Sequence, residues 1–329
     1  MSKDKQDSFE IEYVGSLKGH NGWVTAIAVG KDAEGKPLLI SGSRDKKIIL
    51  WKLNLDAPED IQKDEGKRVV EQEKLVGKPF RSLSGHSHFV SSLSLSKDYK
   101  FLLSSSWDRT IRLWDLNTFK TRTLISGHSK DVLAVTFTNE DRMIVSGSMD
   151  KSLKVFNIKG EEKHSNNDFN GWISNITHIK QEKQNLLAVG SQDKTVKVYD
   201  TNEYSVKYNI EGFDYPVIAT AVDEDGEFLF SAEKNGIIRV HNLPSLVQKS
   251  TIEVNGDINT ISFESAYFTS IVIGTNKGLV IQEVKSQKGK PLFEKKSFGA
   301  CLSLCWDVDK KYLFAGFADG GIRIYKFNK

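Results

Sequence analysis

The sequence predicts an all-β protein made of seven similar units. Residues 105–115 supply the template, Ser-Ser-Trp-Asp-Arg-Thr-Ile-Arg-Leu-Trp-Asp. Its second tryptophan has a counterpart in each unit, which we call the anchor: Trp51, Trp114, Phe156, Tyr199, His241, Gln282 and Tyr325. An Asp or Asn stands six residues before every anchor, at Asp45, Asp108, Asp150, Asp193, Asn235, Asn276 and Asp319.

The spacing of the anchors identifies the kind of unit. Successive anchors are 41 to 43 residues apart, except for a first gap of 63 residues. A period of about 40–45 residues with this ending is typical of the four-stranded blade of a β-propeller. We therefore predict a single seven-bladed β-propeller over residues 1–329, with residues 1–8 as an N-terminal tail.

The first unit shows why each blade is expected to consist of strands. Residues 38–43 and 47–51 are short runs rich in β-branched and apolar residues, and a polar turn joins them. Asp45 in that turn can accept backbone N–H bonds and tolerates unusual backbone angles. The pairs Asn235-Gly236 and Asp319-Gly320 are hairpin signals at the same place in later units.

The long first gap predicts an insertion. About 21 additional residues follow Trp51, and residues 54–78 are rich in both acidic and basic side chains. Such a composition favours a solvated loop, which we place between the third and fourth strands of blade 1.

Composition limits the class of protein. Lys and Arg number 46 and Asp and Glu 43, so a formal charge of +3 leaves nucleic-acid binding to local clusters of basic residues. Cys301 and Cys305 are the two cysteines, too few for a disulfide framework, which favours a reduced, intracellular protein. The charged start of the sequence does not resemble a signal peptide, and no apolar run approaches the length of a membrane span.

The repeats resemble those of WD-repeat proteins. Gly-His pairs open three units, at Gly19-His20, Gly85-His86 and Gly127-His128. In that family the His, a strand Ser or Thr, the turn Asp and the anchor Trp form a buried hydrogen-bonded tetrad. The resemblance implies the following tetrads: His20, Ser43, Asp45 and Trp51; His86, Ser106, Asp108 and Trp114; and His128, Ser148 and Asp150 with Phe156. It also implies that residues 10–17 form a strand that closes the ring by pairing into the last blade.

A narrower resemblance is to the family of the receptor for activated C kinase. It rests on long runs such as residues 17–25 (Leu-Lys-Gly-His-Asn-Gly-Trp-Val-Thr), 43–46 (Ser-Arg-Asp-Lys), 85–91 and 127–135. The resemblance implies a non-catalytic cytoplasmic scaffold on the head of the small ribosomal subunit, in contact with rRNA and ribosomal proteins. It further implies recruitment of protein kinases and of translation and signalling factors, and rRNA contacts by Arg44 and Lys46.

Basic residues also cluster without reference to any family. The turns between second and third strands and the loops that carry Gly-His emerge on one face of a propeller, and blades 1–3 place most of the basic residues there. Our candidate rRNA-binding residues are Arg44, Lys46, Lys47, Arg81, His88, Arg109, Lys130 and Lys151. Blades 5–7 offer only Lys234 and Lys277, and we interpret Lys194 of blade 4 as an ordinary solvated side chain. Lys and Arg on short turns suit contacts with phosphates.

Other functions fit the sequence less well. A Ser-His-Asp hydrolytic site is needed once, whereas this trio occurs in three units. Neither a cofactor motif nor a set of metal ligands is apparent, so we expect no cofactor and no metal. A closed ring leaves no open sheet edge, which favours a monomer. The main alternative is a WD-repeat signalling adaptor, similar to a G-protein β subunit, that acts away from the ribosome. A ubiquitin-ligase adaptor and an enzyme with its site in the central channel are weaker possibilities.

Overall fold

The computed structural model describes residues 10–32, 34–55, 74–138, 141–181, 184–243, 245–264, 270–284, 293–296 and 298–328. These residues form 28 β-strands and no helix, and therefore no helix that could span a membrane. The strands make seven four-stranded antiparallel sheets, so the chain is the predicted seven-bladed β-propeller.

The strands follow the repeats in order. Blade 1 consists of β2 (Val24–Lys31), β3 (Pro37–Ser43), β4 (Ile48–Leu53) and β5 (Gly77–Leu83), and blade 2 of β6 (Val90–Leu95), β7 (Phe101–Ser106), β8 (Thr110–Asp115) and β9 (Lys120–Ser126). Blade 3 consists of β10 (Val132–Phe137), β11 (Met143–Ser148), β12 (Leu153–Asn157) and β13 (Glu162–Asn166), and blade 4 of β14 (Ile173–Gln181), β15 (Gln184–Ser191), β16 (Val196–Asp200) and β17 (Val206–Ile210). Blade 5 consists of β18 (Val217–Val222), β19 (Phe228–Glu233), β20 (Ile237–Asn242) and β21 (Gln248–Glu253), and blade 6 of β22 (Ile258–Glu264), β23 (Ser270–Thr275), β24 (Gly278–Glu283) and β25 (Phe293–Lys295).

Blade 7 joins the two ends of the chain. It combines β26 (Cys301–Trp306), β27 (Tyr312–Phe317) and β28 (Ile322–Asn328) with β1 (Glu10–Leu17). Residues of β1 pair antiparallel with β28 from Glu10↔Asn328 to Leu17↔Ile322. The predicted closing strand is therefore confirmed.

The segment that joins the third and fourth strands of blade 1 is shorter than the loop predicted at residues 54–78. β4 ends at Leu53 and β5 begins at Gly77, so Gly77 and Lys78 belong to β5, and Leu75 forms an isolated parallel bridge with Ser16 of β1. Residues 56–73 of the predicted loop, and the predicted tail at residues 1–8, lie outside the described residues.

Small residues near the end of the second strand let the blades pack closely. A Cβ on Gly42 would lie 2.6 Å from Val90 of the next blade, and one on Gly147 would lie 2.2 Å from Ile173. Gly316 has the same relation to Val24, at 2.7 Å, across the seam that closes the ring. Glycine at this position therefore makes room for the first apolar residue of the neighbouring inner strand.

The inner strands are also linked by hydrogen bonds around the central channel. Every inner strand has a β-bulge after its first residue, and a bulge leaves the inserted residue outside the pairing with its neighbour strand. Four polar bulge side chains use this freedom to donate to a backbone carbonyl of the next blade: Thr25 to Val90, Ser91 to Val132, Ser174 to Val217 and Asn259 to Cys301. Ser303, one residue further along its strand, donates to Val24 and spans the closing seam.

Candidate nucleic-acid interface

The same two backbone segments meet at one end of every blade. In blade 1 the N–H of Arg44, in the turn between β3 and β4, donates to the carbonyl of Trp23, in the loop that leads into β2. The equivalent bond occurs in all seven blades, with these donors and acceptors: Trp107 to Phe89, Met149 to Asp131, Gln192 to Trp172, Lys234 to Pro216, Asn276 to Asp257 and Ala318 to Ala300. We call this end of the propeller the turn face. Its turns are fixed to its loops, which gives their side chains defined positions.

A chain of side-chain hydrogen bonds reinforces this link in blades 1 and 2. In blade 2 the His86 Nδ1 lies 2.8 Å from the Asp108 Oδ2, and the His86 Nε2 lies 2.7 Å from the Ser104 Oγ. The indole Nε1–H of Trp114 donates to the same Ser104 Oγ at 2.8 Å. Blade 1 repeats the arrangement with His20, Asp45, Ser41 and Trp51, each contact at 2.8 Å.

Blade 3 keeps the histidine and the carboxylate but not the indole donor. His128 contacts Asp150 at 2.9 Å and Ser146 at 2.8 Å. Phe156 occupies the anchor position, edge-on to the imidazole. The Ser146 hydroxyl therefore bonds to one ring nitrogen, that of His128, whereas Ser41 and Ser104 each bond to a histidine nitrogen and to the indole nitrogen of the anchor tryptophan.

The serine predicted for each tetrad was wrong by two residues. Ser43, Ser106 and Ser148 do not contact the histidine; the contact is made by Ser41, Ser104 and Ser146. Residues two apart in a strand share a face, but Ser106 ends its strand, next to the turn. Its hydroxyl accepts the N–H of Asp108 and donates to the carbonyl of His88, so it belongs to the link between turn and loop.

The carboxylates of these networks are held in the charged form. Burial disfavours the charge on Asp108, but hydrogen bonds from His86 and Thr110 outweigh it and lower the pKa well below its usual range. Asp150 behaves alike, with His128 and Ser152 as the donors that lower its pKa. The pKa of Asp45 is also lowered, since hydrogen bonding from His20 outweighs burial.

One turn position separates blades 1–4 from the rest. The residue after the turn aspartate has a left-handed backbone in these four blades and is always basic: Lys46 (φ 71°), Arg109 (φ 69°), Lys151 (φ 72°) and Lys194 (φ 66°). All four side chains are exposed. Lys194, interpreted from the sequence as an ordinary solvated side chain, occupies the same turn position as Lys46, Arg109 and Lys151. Glycine occupies this position in blades 5 and 7, as Gly236 (φ 97°) and Gly320 (φ 84°). In blade 6 the equivalent residue is Lys277, which does not have a left-handed backbone, and Gly278 follows it.

Arg44 is less exposed than the other candidate lysines and arginines. Its guanidinium carbon lies 3.6 Å from the centroid of the Trp23 ring, 5.1 Å from that of Phe89 and 5.7 Å from that of Trp107. Burial lowers the pKa of this guanidinium. His88 stacks on Trp107, with ring centroids 5.8 Å apart and an interplanar angle of 11°. Arg44 and His88 thus belong to one cluster that bridges blades 1 and 2.

Three other candidates divide between two places. Lys47 and Lys130 are exposed on the turn face, on the turn of blade 1 and the loop of blade 3. Arg81 is not at a turn: it pairs with Leu50 within β5, and its guanidinium lies 4.8 Å from the Phe119 ring, in the turn between β8 and β9. That turn is at the opposite end of the blade, so Arg81 is not part of the turn face.

Blades 5 and 7 link turn to loop with arginine in place of histidine. In blade 5 the Glu233 carboxylate, fully buried, accepts the N–H groups of Asp214 and Tyr215 and the Nε–H of Arg239. The Arg239 Nη2 also reaches Asp214, at 2.6 Å. In blade 7 both terminal nitrogens of Arg323 donate to Asp319 in the turn, and its guanidinium carbon lies 4.2 Å from the centroid of the Phe298 ring in the loop. These pairs were not predicted from the sequence. The pattern that indicates them is an arginine two residues before the anchor in a unit that lacks Gly-His.

The inner strands of the seven blades surround a cavity of about 240 Å³ in the central channel, bordered by hydroxyl and amide groups such as Ser91, Asn175 and Asn259 and by apolar side chains. None of the described residues that line this cavity is titratable. Within the described ranges, no cluster of three or more His, Cys, Asp or Glu side chains could hold a metal ion.

Comparison with known proteins gives a family. Residues 11–52, 77–115, 119–157, 166–200 and 289–326 match the family described as "WD domain, G-beta repeat". The chain is 37% identical to "Small ribosomal subunit protein RACK1" of Caenorhabditis elegans, over 96% of this chain and 97% of that protein. It is 38% identical to the protein of the same name from Drosophila melanogaster, over 96% and 97%, and to "Cross-pathway control WD-repeat protein 2" of Flammulina velutipes, over 97% and 98%.

Proposed function

This chain belongs to the RACK1 family of WD-repeat propellers, and from that membership we propose that it is a non-catalytic scaffold of the small ribosomal subunit. Relatives from a nematode and a fly carry that subunit in their names. We place the chain on the head of the subunit, in the cytoplasm, with the turn face of blades 1–3 against ribosomal RNA. The equivalent lysine of blade 4 extends this contact surface.

The observation that carries the proposal is the repeated basic turn. Lys46, Arg109, Lys151 and Lys194 occupy one structural position in four consecutive blades, so their charges are spaced along an arc of the turn face. RNA helices are recognised largely through their shape and backbone, which a fixed arc of cations suits. Such contacts position a protein on its target without reading its bases.

The cluster around Arg44 supplies a second kind of contact. The contact of 3.6 Å between the guanidinium carbon and the Trp23 ring restricts the movement of this group, and a guanidinium donates in its own plane. A planar, preoriented donor fork suits the two oxygens of a phosphate better than a mobile ammonium does. We therefore assign Arg44 the most specific phosphate contact and Lys46, beside it, a supporting charge.

The remainder of the turn face supports recruitment of kinases and translation factors. Blades 4 and 5 present Trp172 and Tyr215, 44% and 50% exposed, on loops whose backbones are hydrogen-bonded to the adjacent turns. Tyr and Trp are over-represented among the residues that dominate binding energy at protein interfaces. A scaffold of this kind holds the subunit with one arc and its protein partners with the rest of the face.

The test is sedimentation with purified small ribosomal subunits across a salt series. We expect R44E/K46E to lower the affinity for subunits by more than tenfold. The slope of log affinity against log salt concentration should become shallower by about 1 to 2, because fewer counterions are released on binding when phosphate contacts are lost. The matched control is K234E/K277E, which reverses two basic residues on the same face in blades 5 and 6.

Two results would contradict the proposal. The first is a folded R44E/K46E protein that sediments with subunits as the wild type does at physiological salt. The second is an equal loss of binding in K234E/K277E, which would indicate a response to net charge. If the protein is instead a signalling adaptor that acts away from the ribosome, neither the wild type nor R44E/K46E should sediment with subunits.

A further inference from the structure

We propose that a groove on the face opposite the turn face binds an acidic peptide segment through one apolar side chain. The groove lies between blades 1 and 2 and has a volume of about 360 Å³. It is bordered by the turn between β2 and β3, the turn between β6 and β7, and the turn between β8 and β9. These turns lie at the ends of the strands away from the basic turns, so this site is independent of the function proposed above.

The floor of the groove is apolar and belongs to both blades. Leu38 and Leu50 come from blade 1 and Leu116 from blade 2, and all three are buried in one core cluster. Phe80 and Phe119 line the part of the groove nearest the outer strands, edge to face with centroids 6.2 Å apart. The volume of the groove lies at the lower end of the range of about 300–1,000 Å³ for ligand pockets, which are lined mainly by apolar and aromatic side chains.

The wall next to blade 2 is fixed by an unusual turn. Tyr99 has a left-handed backbone, with φ 57°. Its ring lies against Gly30, where a Cβ would come within 2.6 Å of the ring. The Tyr99 ring therefore packs against the backbone of Gly30 in blade 1 and forms one wall of the groove.

The acidic groups at the rim are already engaged within their own turns. Asp32 accepts the N–H groups of Glu34 and Lys36, and Glu34 is paired with Lys36 at 2.6 Å. Asp98 accepts the hydroxyl of Ser96 and the N–H of Lys100, whose ammonium lies 3.5 Å away.

Two lysines at the rim are not engaged in this way. Among the described residues, neither Lys31 nor Lys52 has an acidic partner within 4.0 Å; Lys52 lies over the Phe80 ring at 5.3 Å. Arg81 adds a third cation beside Phe119, at 4.8 Å. An apolar floor between these cations is complementary to an aromatic or leucine side chain flanked by carboxylates, and that is the ligand class we assign.

Peptide display tests this assignment on the full-length protein. A library of random peptides is selected on the wild type and counter-selected on K52E. We expect enriched peptides to carry Phe, Trp or Leu next to Asp or Glu, and a fluorescein-labelled copy of one to bind at least tenfold more weakly to K52E and to N117W, which places a large ring in the groove. The exposed and distant K249E is the matched control and should bind as the wild type does.

Several results would overturn the proposal. They are enrichment of basic or purely polar peptides, enrichment that neither K52E nor N117W reduces, and no enrichment at all. Binding of a labelled oligouridine that K52E abolishes while the peptides fail would assign the groove to RNA. Failure of the subunit sedimentation test leaves this result unaffected, since R44E/K46E alters the other face.

Discussion

Blades 2 and 5 fix the same loop to the same turn with different chemistry. Blade 2 uses a histidine from the loop, a carboxylate in the turn and a serine shared with an indole. Blade 5 uses Glu233, at the end of the second strand, which accepts the loop N–H groups directly and is held by Arg239. Both blades therefore link the loop to the turn, and the histidine network is one of at least two ways to make this link.

The difference between these blades extends to the turn residue that faces solvent. In blade 5 the next loop lies directly on the turn: the Val254 N–H donates to the Gly236 carbonyl, and a Cβ on Gly236 would lie 2.3 Å from the Val254 oxygen. Gly320 of blade 7 is equally confined, since a Cβ there would lie 2.6 Å from the His20 carbonyl oxygen. No side chain fits at either glycine, whereas blades 1–4 have room for a lysine or an arginine. Close approach of the next loop thus explains why the continuous basic arc ends at blade 5.

Breaking the arginine–carboxylate link should have the largest effect. E233A leaves Arg239 without its buried partner and two loop N–H groups without an acceptor, so we expect a loss of about 3 kcal/mol or more in the free energy of unfolding. Urea denaturation followed by tryptophan fluorescence measures it. E233A/R239M should recover part of the loss, since it removes the unpaired charge as well. A loss under about 1 kcal/mol in E233A would mean that the link does not hold the blade together.

Removing the shared serine hydroxyl should have the next largest effect. S104A leaves both the His86 imidazole and the Trp114 indole with one unsatisfied nitrogen, for an expected loss of about 2 kcal/mol. S146A affects one ring nitrogen, and we expect about 1 kcal/mol. The same denaturation experiment compares the two. Equal losses would show that the indole bond contributes nothing measurable.

The charged form of Asp108 predicts a dependence on pH. Its folded-state pKa lies below the unfolded value of about 3.9, so its contribution is fully present above that value and disappears as the pH falls below it. D108N should therefore cost about 1.5 kcal/mol at pH 7 and progressively less below about pH 4. Asp223 of blade 5 is the opposite case, since burial raises its pKa. D223N should therefore be neutral or stabilising at pH 7. If the loss of unfolding free energy in D108N is the same at neutral and at acid pH, the charge of Asp108 does not stabilise the fold.

The smallest effect concerns the left-handed turn residue. K194G should stabilise the protein by about 0.5 kcal/mol, because glycine adopts φ 66° without strain. It should also weaken subunit binding modestly, as one phosphate contact is lost. The reverse change G236K should destabilise the fold, because the side chain would meet the Val254 carbonyl. Thermal denaturation and subunit sedimentation measure the two consequences separately.

Much of this architecture could be predicted from the sequence because it depends on local patterns. The anchor period, the turn residues and the alternating segment at residues 10–17 gave seven blades and their closure. Ser41 and Ser43 share a strand face, so spacing alone could not tell which one reaches His20. Arg81 was assigned to the wrong end of blade 1 because it lies within β5, and two further residues of that strand separate it from the loop. The confinement of the turn glycine in blades 5 and 7 depends on contacts between loops, which no local pattern contains.

The pairing of β1 with β28 has a consequence for the order of folding. The first strand to leave the ribosome during synthesis finds its partner only when the last strand has been made. Until then Glu10–Leu17 is without its sheet and Ile322–Asn328 does not yet exist, while blades 1 to 6 already have all four of their own strands. Closure of the ring by β1 and β28 is thus the last step of folding. A nascent chain halted before β28 is made would expose an open sheet edge in blade 7.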